Sequence, residues 1–146
     1  VELYKSGNFL LTYFNSKRYN NIKTPNGIKK FDFKEKYAQT DKANENFLQH
    51  IVNLKADKSF ARDDKDLEAV QQIESWFSRF ENWLKSIFDD KNLSLQFDRK
   101  KYTFDIVLND GVKVNFETLS DGYAALLNIV MELMMDLQAL VMQMKI

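Results

Sequence analysis

The sequence has no cysteine, one histidine, one proline and four glycines. The lack of cysteine excludes a disulfide framework, a thiol nucleophile and a thiolate zinc site. The single histidine, His50, has Asn46 and Asn53 as neighbours, which are poor metal ligands, so we expect no metal site there. No glycine begins a Gly-x-x-x-x-Gly-Lys-Ser/Thr phosphate loop, and no apolar strand ends in Asp-Glu. We therefore name no catalytic residue and no metal ligand in this chain.

The composition fits one ordered domain. The chain has 146 residues, 45% of them hydrophobic, and twelve phenylalanines. Its 21 basic and 21 acidic residues cancel, so binding to nucleic acid or membrane would need a local patch. The absence of cysteine and of an N-terminal signal pattern favours the cytoplasm. Because the chain starts at Val1 rather than Met, we expect it to be cut from a longer protein.

The pattern predicts an α+β fold with its helical part at residues 40–88. An N-terminal strand is expected at Phe9–Phe14, bounded by polar turns. A first helix is expected from Thr40 or Asp41 to about Ala61. Its core-facing stripe is Phe47, Leu48, Ile51 and Val52, to which Phe60 can be added. A second helix runs to about Phe88 with a seam typical of coiled coils, formed by Leu67, Val70, Ile73, Trp76, Phe77, Phe80, Trp83, Leu84, Ile87 and Phe88.

Two features of this helical part allow a second interpretation. A ligand pocket between Trp76 and Trp83 is conceivable, but aromatic residues at helical spacing favour core packing. Asp63, Asp64 and Asp66 precede the second helix, where the helix dipole favours negative charge. The three carboxylates could also form a metal cluster, but helix capping is the favoured interpretation.

Residues 93–117 alternate with period two and predict a three-stranded antiparallel meander. A four-residue loop at 98–101 pairs Phe97 with Tyr102 and keeps the apolar faces together. A two-residue Asp110-Gly111 turn would mix the faces of the next hairpin. A three-residue loop at 109–111 instead pairs Leu108 with Val112, Ile106 with Val114 and Phe104 with Phe116. We expect Gly111 to take the left-handed conformation there.

The segment 119–146 predicts a polar turn followed by a long apolar helix. Glu132 and Asp136 would lie in the middle of a bilayer one turn apart, so we expect no membrane span. A helix this apolar must be enclosed on several sides, which suggests a further layer supplied by missing sequence or by a partner. In the turn, the side chain of Ser120 or Asp121 can cap the free N–H groups of the helix's first turn. Those N–H groups, together with the helix dipole, could instead hold a phosphate.

The turn resembles the signature segment of ABC-type ATPases, and most closely that of SMC-like AAA-family ATPases of bacterial anti-phage and stress-response proteins. The matching residues are Leu119-Ser120-Asp121-Gly122-Tyr123, then Leu126-Leu127 and Ile129-Val130, with Phe116 upstream. Weaker similarity, in the family's order, extends over Tyr13–Arg18, Ile51–Lys55, Trp76-Phe77 and Leu93–Phe97. The resemblance implies that Leu119, Ser120, Asp121 and Gly122 contact the γ-phosphate of ATP bound mainly by a second subunit. It also implies Mg²⁺, a head-to-head dimer and a role in defence or nucleic-acid metabolism.

A basic stretch near the N-terminus is a candidate nucleic-acid patch. Residues 1–37 hold eight Lys or Arg and three Asp or Glu, interleaved with aromatic residues. The candidate contacts are Lys17, Arg18, Lys23, Lys29 and Lys30. Such charge runs are usually solvated surfaces, and that interpretation stays open.

Two functions from different classes are consistent with these patterns. The first is the signature-bearing part of an ATPase domain, with 1–146 forming one partial domain that is inactive alone. The second is a non-enzymatic α+β interaction module whose apolar C-terminal helix docks a partner.

Overall fold

The computed structural model describes residues 24–29 and 46–144, and these residues have an α+β architecture. In chain order they form helices α1 (Phe47–Asp63) and α2 (Leu67–Phe88), strands β1 (Ser94–Asp98), β2 (Thr103–Val107) and β3 (Lys113–Asn115), and helix α3 (Asp121–Met144). The predicted N-terminal strand Phe9–Phe14 and the predicted helix start at Thr40 or Asp41 lie outside the described residues.

Helices α1 and α2 form an antiparallel pair joined by a short turn. Asp66 is the N-cap of α2, and its carboxylate accepts a hydrogen bond from the Ala69 N–H at 3.0 Å. This confirms capping for Asp66. Asp63, however, is the last residue of α1 and Asp64 is its C-cap, so neither lies at the start of α2. The turn at Lys65, with φ of 60°, separates them from the second helix.

The apolar stripe of α1 is confirmed only in its first half. Phe47, Leu48, Ile51 and Val52 are buried, whereas Phe60 is 56% exposed. Phe60 lies one turn before the end of α1, where the described residues leave this face of the helix uncovered.

Helix α2 shows the same gradient of burial along its length. Its buried residues are Phe80 and Leu84, and Leu67 at its start is 77% exposed. The predicted continuous packing seam is therefore wrong at Leu67, whereas Val70 and Ile73 are partly buried. It is also wrong at Trp83, which is 40% exposed. The reason at Leu67 is length: at about 1.5 Å per residue, a helix of 22 residues extends well beyond a five-residue strand.

An aromatic cluster holds the helix pair to the sheet. Trp76 lies 6.3 Å from Phe47 and 5.7 Å from Phe80, measured between ring centroids. Phe80 stacks on Phe116 at 6.4 Å, and Phe77 stacks on Phe104 at 6.1 Å. These contacts place the core between α2 and the inner face of the sheet, and they support core packing for Trp76.

The predicted meander is confirmed, with strand order β1-β2-β3 and antiparallel pairing throughout. In the second hairpin, Ile106 pairs with Val114 and the Leu108 N–H donates to the Val112 carbonyl at 2.9 Å. Gly111 has φ of +83°, as expected for a three-residue loop. The ladder of β3 ends at Asn115, so the predicted pairing of Phe104 with Phe116 is not part of it.

The predicted register of the first hairpin is wrong by two residues. Phe97 pairs with Phe104 rather than with Tyr102, and Asp98 pairs with Thr103. The loop is therefore 99–102, with Tyr102 at φ of 54°. A shift of two leaves every side chain on its predicted face, so the inner face still collects Phe104 and Ile106, both buried.

Helix α3 covers the core with one face. Ala124, Leu127 and Met131 are buried on it, and the buried Asn128 lies in the same stretch. Its observed bounds agree with the predicted helix from about Asp121 towards the C-terminus. Within the described ranges, no helix has the length and apolar character that crossing a membrane requires.

Candidate functional site

The Leu-Ser-Asp-Gly turn lies between β3 and α3 and is fixed by buried residues before it. After β3, the Asn115 side-chain oxygen accepts the Glu117 N–H at 2.8 Å, and the Asn115 carbonyl accepts the Thr118 N–H at 3.1 Å. Phe116 and Leu119, on either side of this bend, are both buried. The bend thus delivers the chain to Ser120 in a defined position.

Ser120 begins the helix with its backbone rather than with its side chain. Its carbonyl oxygen accepts the Ala124 N–H at 2.8 Å, the first hydrogen bond of α3. Among the described residues, no hydrogen bond involves the Ser120 hydroxyl, and the residue is exposed. The capping interpretation therefore receives no support from this hydroxyl. Asp121 is the first residue of α3.

Gly122 stands in the first turn of α3 and is exposed. A Cβ atom built on it would meet nothing within 4 Å, and its backbone does not have the positive φ that Gly27 and Gly111 have. Neither crowding nor backbone conformation within the described chain requires glycine here. Glycine is less favourable than alanine inside a helix by as much as about 1 kcal/mol.

Two large apolar side chains follow the turn on the outward side of α3. Tyr123 is 41% exposed and Leu126 is 48% exposed. The Tyr123 ring stacks on Phe88, the last residue of α2, with centroids 4.6 Å apart and planes inclined by 3°. We call Ser120, Gly122, Tyr123 and Leu126 the signature face. It combines an open helix N-terminus with exposed apolar area.

Of the predicted basic patch, the structure describes only Lys29. Lys17, Arg18, Lys23 and Lys30 lie outside the described residues. Lys29 is exposed, and Asn53 of α1 holds its backbone. The Lys29 N–H donates to the Asn53 side-chain oxygen at 3.3 Å, and the Asn53 side-chain N–H donates to the Lys29 carbonyl at 2.7 Å.

The segment 24–29 is also tied to the bend before the signature face. The Thr24 N–H donates to the Glu117 carboxylate at 2.9 Å, and the Thr24 hydroxyl hydrogen-bonds to the same oxygen. Gln49 donates to the Gly27 carbonyl at 2.9 Å. Segment 24–29 is therefore anchored next to the candidate site through its backbone, and the Lys29 side chain stays exposed.

His50 is buried in the core and is not part of the signature face. Its ring lies 5.5 Å from the Trp76 ring in an edge-on arrangement. Burial lowers its pKa from 6.5 to about 4, because an imidazolium in this apolar setting loses its hydration. Across the part of the chain that the structure describes, no group of three or more His, Cys, Asp or Glu is placed to hold a metal ion.

No protein-family model, curated protein or solved structure matches this chain. A functional assignment therefore depends on the residues of the chain and on their geometry.

Proposed function

We propose that this chain is the signature-bearing part of an SMC-like ABC-type AAA-family ATPase, forming a partial ABC-ATPase-like domain. In this proposal Ser120, Asp121 and Gly122 face the γ-phosphate of ATP held by a second subunit in a head-to-head dimer, and buried Leu119 positions them. The observation that supports it best is Gly122, a helical glycine with open space where a side chain would stand.

Gly122 has a cost to the isolated fold and no benefit within the described contacts. A Cβ at this position would be accommodated, so alanine would be the more stable choice. Glycine is useful where another molecule must approach the backbone closely, and a phosphate at a helix N-terminus is such a molecule. The resemblance and the geometry therefore favour the same residue for the same role.

The neighbouring groups suit a phosphate chemically. The exposed Ser120 hydroxyl and the N–H groups of the first turn of α3 can donate hydrogen bonds, and the helix dipole adds partial positive charge. Buried Leu119 fixes the donors before ATP arrives, so that they stabilise charge without reorganisation.

The remaining parts of an ATPase would come from elsewhere. The sequence has no phosphate loop and no Asp-Glu strand, so ATP and Mg²⁺ belong to the complete cytoplasmic dimer. The isolated chain is expected to show no ATPase activity above background and at most weak nucleotide binding. Calorimetry that gives a micromolar or tighter ATP affinity for the monomer would contradict this.

A second candidate is a non-enzymatic interaction module that docks a partner on α3. Tyr123 and Leu126 favour it, because large apolar side chains that are 41% and 48% exposed gain free energy when a partner covers them. The two candidates differ over nucleotide. Docking through Tyr123 and Leu126 alone would not depend on ATP, whereas a signature would act only with ATP.

The decisive experiment uses two substitutions in the full-length parent protein. Ser120→Arg places a bulky side chain at the proposed phosphate position and should abolish ATP-driven dimerisation, with little loss of stability because Ser120 is exposed. Gly122→Ala should stabilise the fold by up to about 1 kcal/mol and still weaken ATP-driven dimerisation. Sedimentation velocity with and without ATP, combined with thermal unfolding, measures both effects.

Ser78→Arg is the matched control, since Ser78 is an exposed serine on α2 away from the signature face. It should leave ATP-driven dimerisation unchanged. Dimerisation that survives both Ser120→Arg and Gly122→Ala would refute the signature assignment. Sequencing the parent gene is a quick first check, because the proposal requires a phosphate-loop motif upstream and a strand ending in Asp-Glu downstream.

A further inference from the structure

The β1–β2 hairpin extends past the rest of the sheet. Strand β3 pairs only with 105–107, so among residues 24–29 and 46–144 the one strand beside Thr103 and Phe104 is β1. This end of the sheet is therefore a two-stranded ribbon that closes in the turn 99–102.

The turn is held in one conformation by Asp98. Its carboxylate accepts the Lys100 N–H at 2.8 Å and the Lys101 N–H at 3.3 Å. Tyr102 completes the turn in the left-handed region, with φ of 54°. The side chains of the turn consequently project from a backbone that is already ordered.

Three consecutive cations occupy this turn. Arg99, Lys100 and Lys101 are all exposed, and in the described part of the chain none of them lies within salt-bridge distance of a carboxylate. Elsewhere, Lys58 pairs with Glu74 at 2.7 Å and Lys85 pairs with Glu81 at 2.9 Å. The hairpin tip thus carries three cations against the single carboxylate of Asp98, which the turn's own N–H groups hold, in a chain whose formal net charge is zero.

We propose that this hairpin tip, Arg99 to Lys101, binds the phosphate backbone of double-stranded nucleic acid. The inner face of the hairpin is packed on α2 through Phe104, so the exposed turn and not the ribbon makes the contact. A duplex carries one negative charge per about 1.7 Å of its axis, so three neighbouring cations can contact phosphates together and release their counterions.

The alternative of an anionic membrane surface is less favoured. Phe97 and Tyr102, the aromatic residues next to the tip, are only partly exposed, and Phe97 packs on Phe104 at 4.7 Å. The tip therefore lacks an exposed apolar side chain that could insert among lipids. This inference is independent of the signature face and of the basic stretch near the N-terminus.

The test is fluorescence anisotropy of a labelled DNA duplex of two helical turns, titrated with the full chain over a range of salt concentrations. The variant replaces Arg99, Lys100 and Lys101 with glutamine. Removing three phosphate contacts should reduce the slope of log K against log salt by about 2.7. The affinity ratio of wild type to variant should accordingly shrink by about 40-fold between about 50 and about 200 mM salt.

A second triple variant, Arg62→Gln with Lys65→Gln and Lys91→Gln, is the control. It removes the same charge from exposed positions outside the tip and should keep most of the wild-type slope. Equal loss of slope in both variants would overturn the proposal, as would an unchanged slope in the tip variant. Stronger binding to a single strand than to the duplex, or tip-dependent binding to phosphatidylserine vesicles without duplex binding, would also overturn it.

Discussion

Protonation of buried His50 should make the fold sensitive to acid. Folding lowers its pKa from 6.5 to about 4, so between these values the unfolded chain binds a proton that the native chain does not. Stability is therefore complete above pH 6.5 and decreases as pH falls towards 4. With those two pKa values, the free energy of unfolding should drop by about 2 kcal/mol between neutral pH and pH 5.

Urea unfolding followed by tryptophan fluorescence measures this loss, since Trp76 lies against His50. His50→Leu keeps an apolar side chain in the site and removes the titration. Because His50 is the only histidine, carboxylates account for whatever pH dependence the variant retains. Subtracting the variant's curve from that of the wild type should leave the predicted decrease. If the two curves run parallel from neutral pH to pH 5, His50 is hydrated or protonated in the native state and the argument from burial fails.

Four further variants test the fold and its surface. Gly111→Ala should destabilise by about 1 kcal/mol in urea unfolding, because φ of +83° strains a side chain even where space is open. Phe80→Ala should cost about 3–5 kcal/mol and Phe60→Ala less than about 1 kcal/mol, as their burial differs. Similar values for the two would contradict the observed gradient along the helix pair. Lys29→Glu with Lys30→Glu should lower the melting temperature by less than about 8 °C, and a larger decrease would make the basic stretch structural.

The two hairpins show which parts of the sheet a sequence can define. Gly111 marks a left-handed position that few other residues accept, so the second loop could be placed correctly. The first loop has no glycine, and Tyr102 takes the left-handed position instead. The alternation of apolar and polar residues does not distinguish the predicted register of the first hairpin from the observed one, because registers that differ by two residues put the same side chains on the same face.

The helices show a limit of a different kind. Periodicity identified the apolar face of α2, but it carries no information on how far along the helix that face is covered. Coverage depends on the strand lengths and on α3, which are properties of the assembled fold. Hence Phe80 and Leu84 are core residues, whereas Leu67 in the same pattern is mostly exposed.

For the candidate site, sequence predicted the position of the turn between strand and helix but not its contacts. Either Ser120 or Asp121 could have been a side-chain cap, and only geometry separates a hydroxyl that caps from one that projects outward. The three consecutive basic residues Arg99–Lys101 fall at a predicted hairpin loop, but such a run does not by itself distinguish a site from a solvated surface. The structure adds the short length of β3, which leaves that hairpin end with two strands among the described residues.

The signature face brings together two features that each disfavour an isolated fold. A helical glycine is less stable than alanine, and exposed Tyr123 and Leu126 leave apolar surface in water. Scattered along the chain, such features would need no common explanation, since single exposed apolar residues are normal. Here Gly122, Tyr123 and Leu126 fall within two turns of one helix, directly after a bend fixed by buried residues. A partner that contacts the glycine backbone and covers the apolar pair would offset both costs at once, as the second subunit of the proposed dimer would.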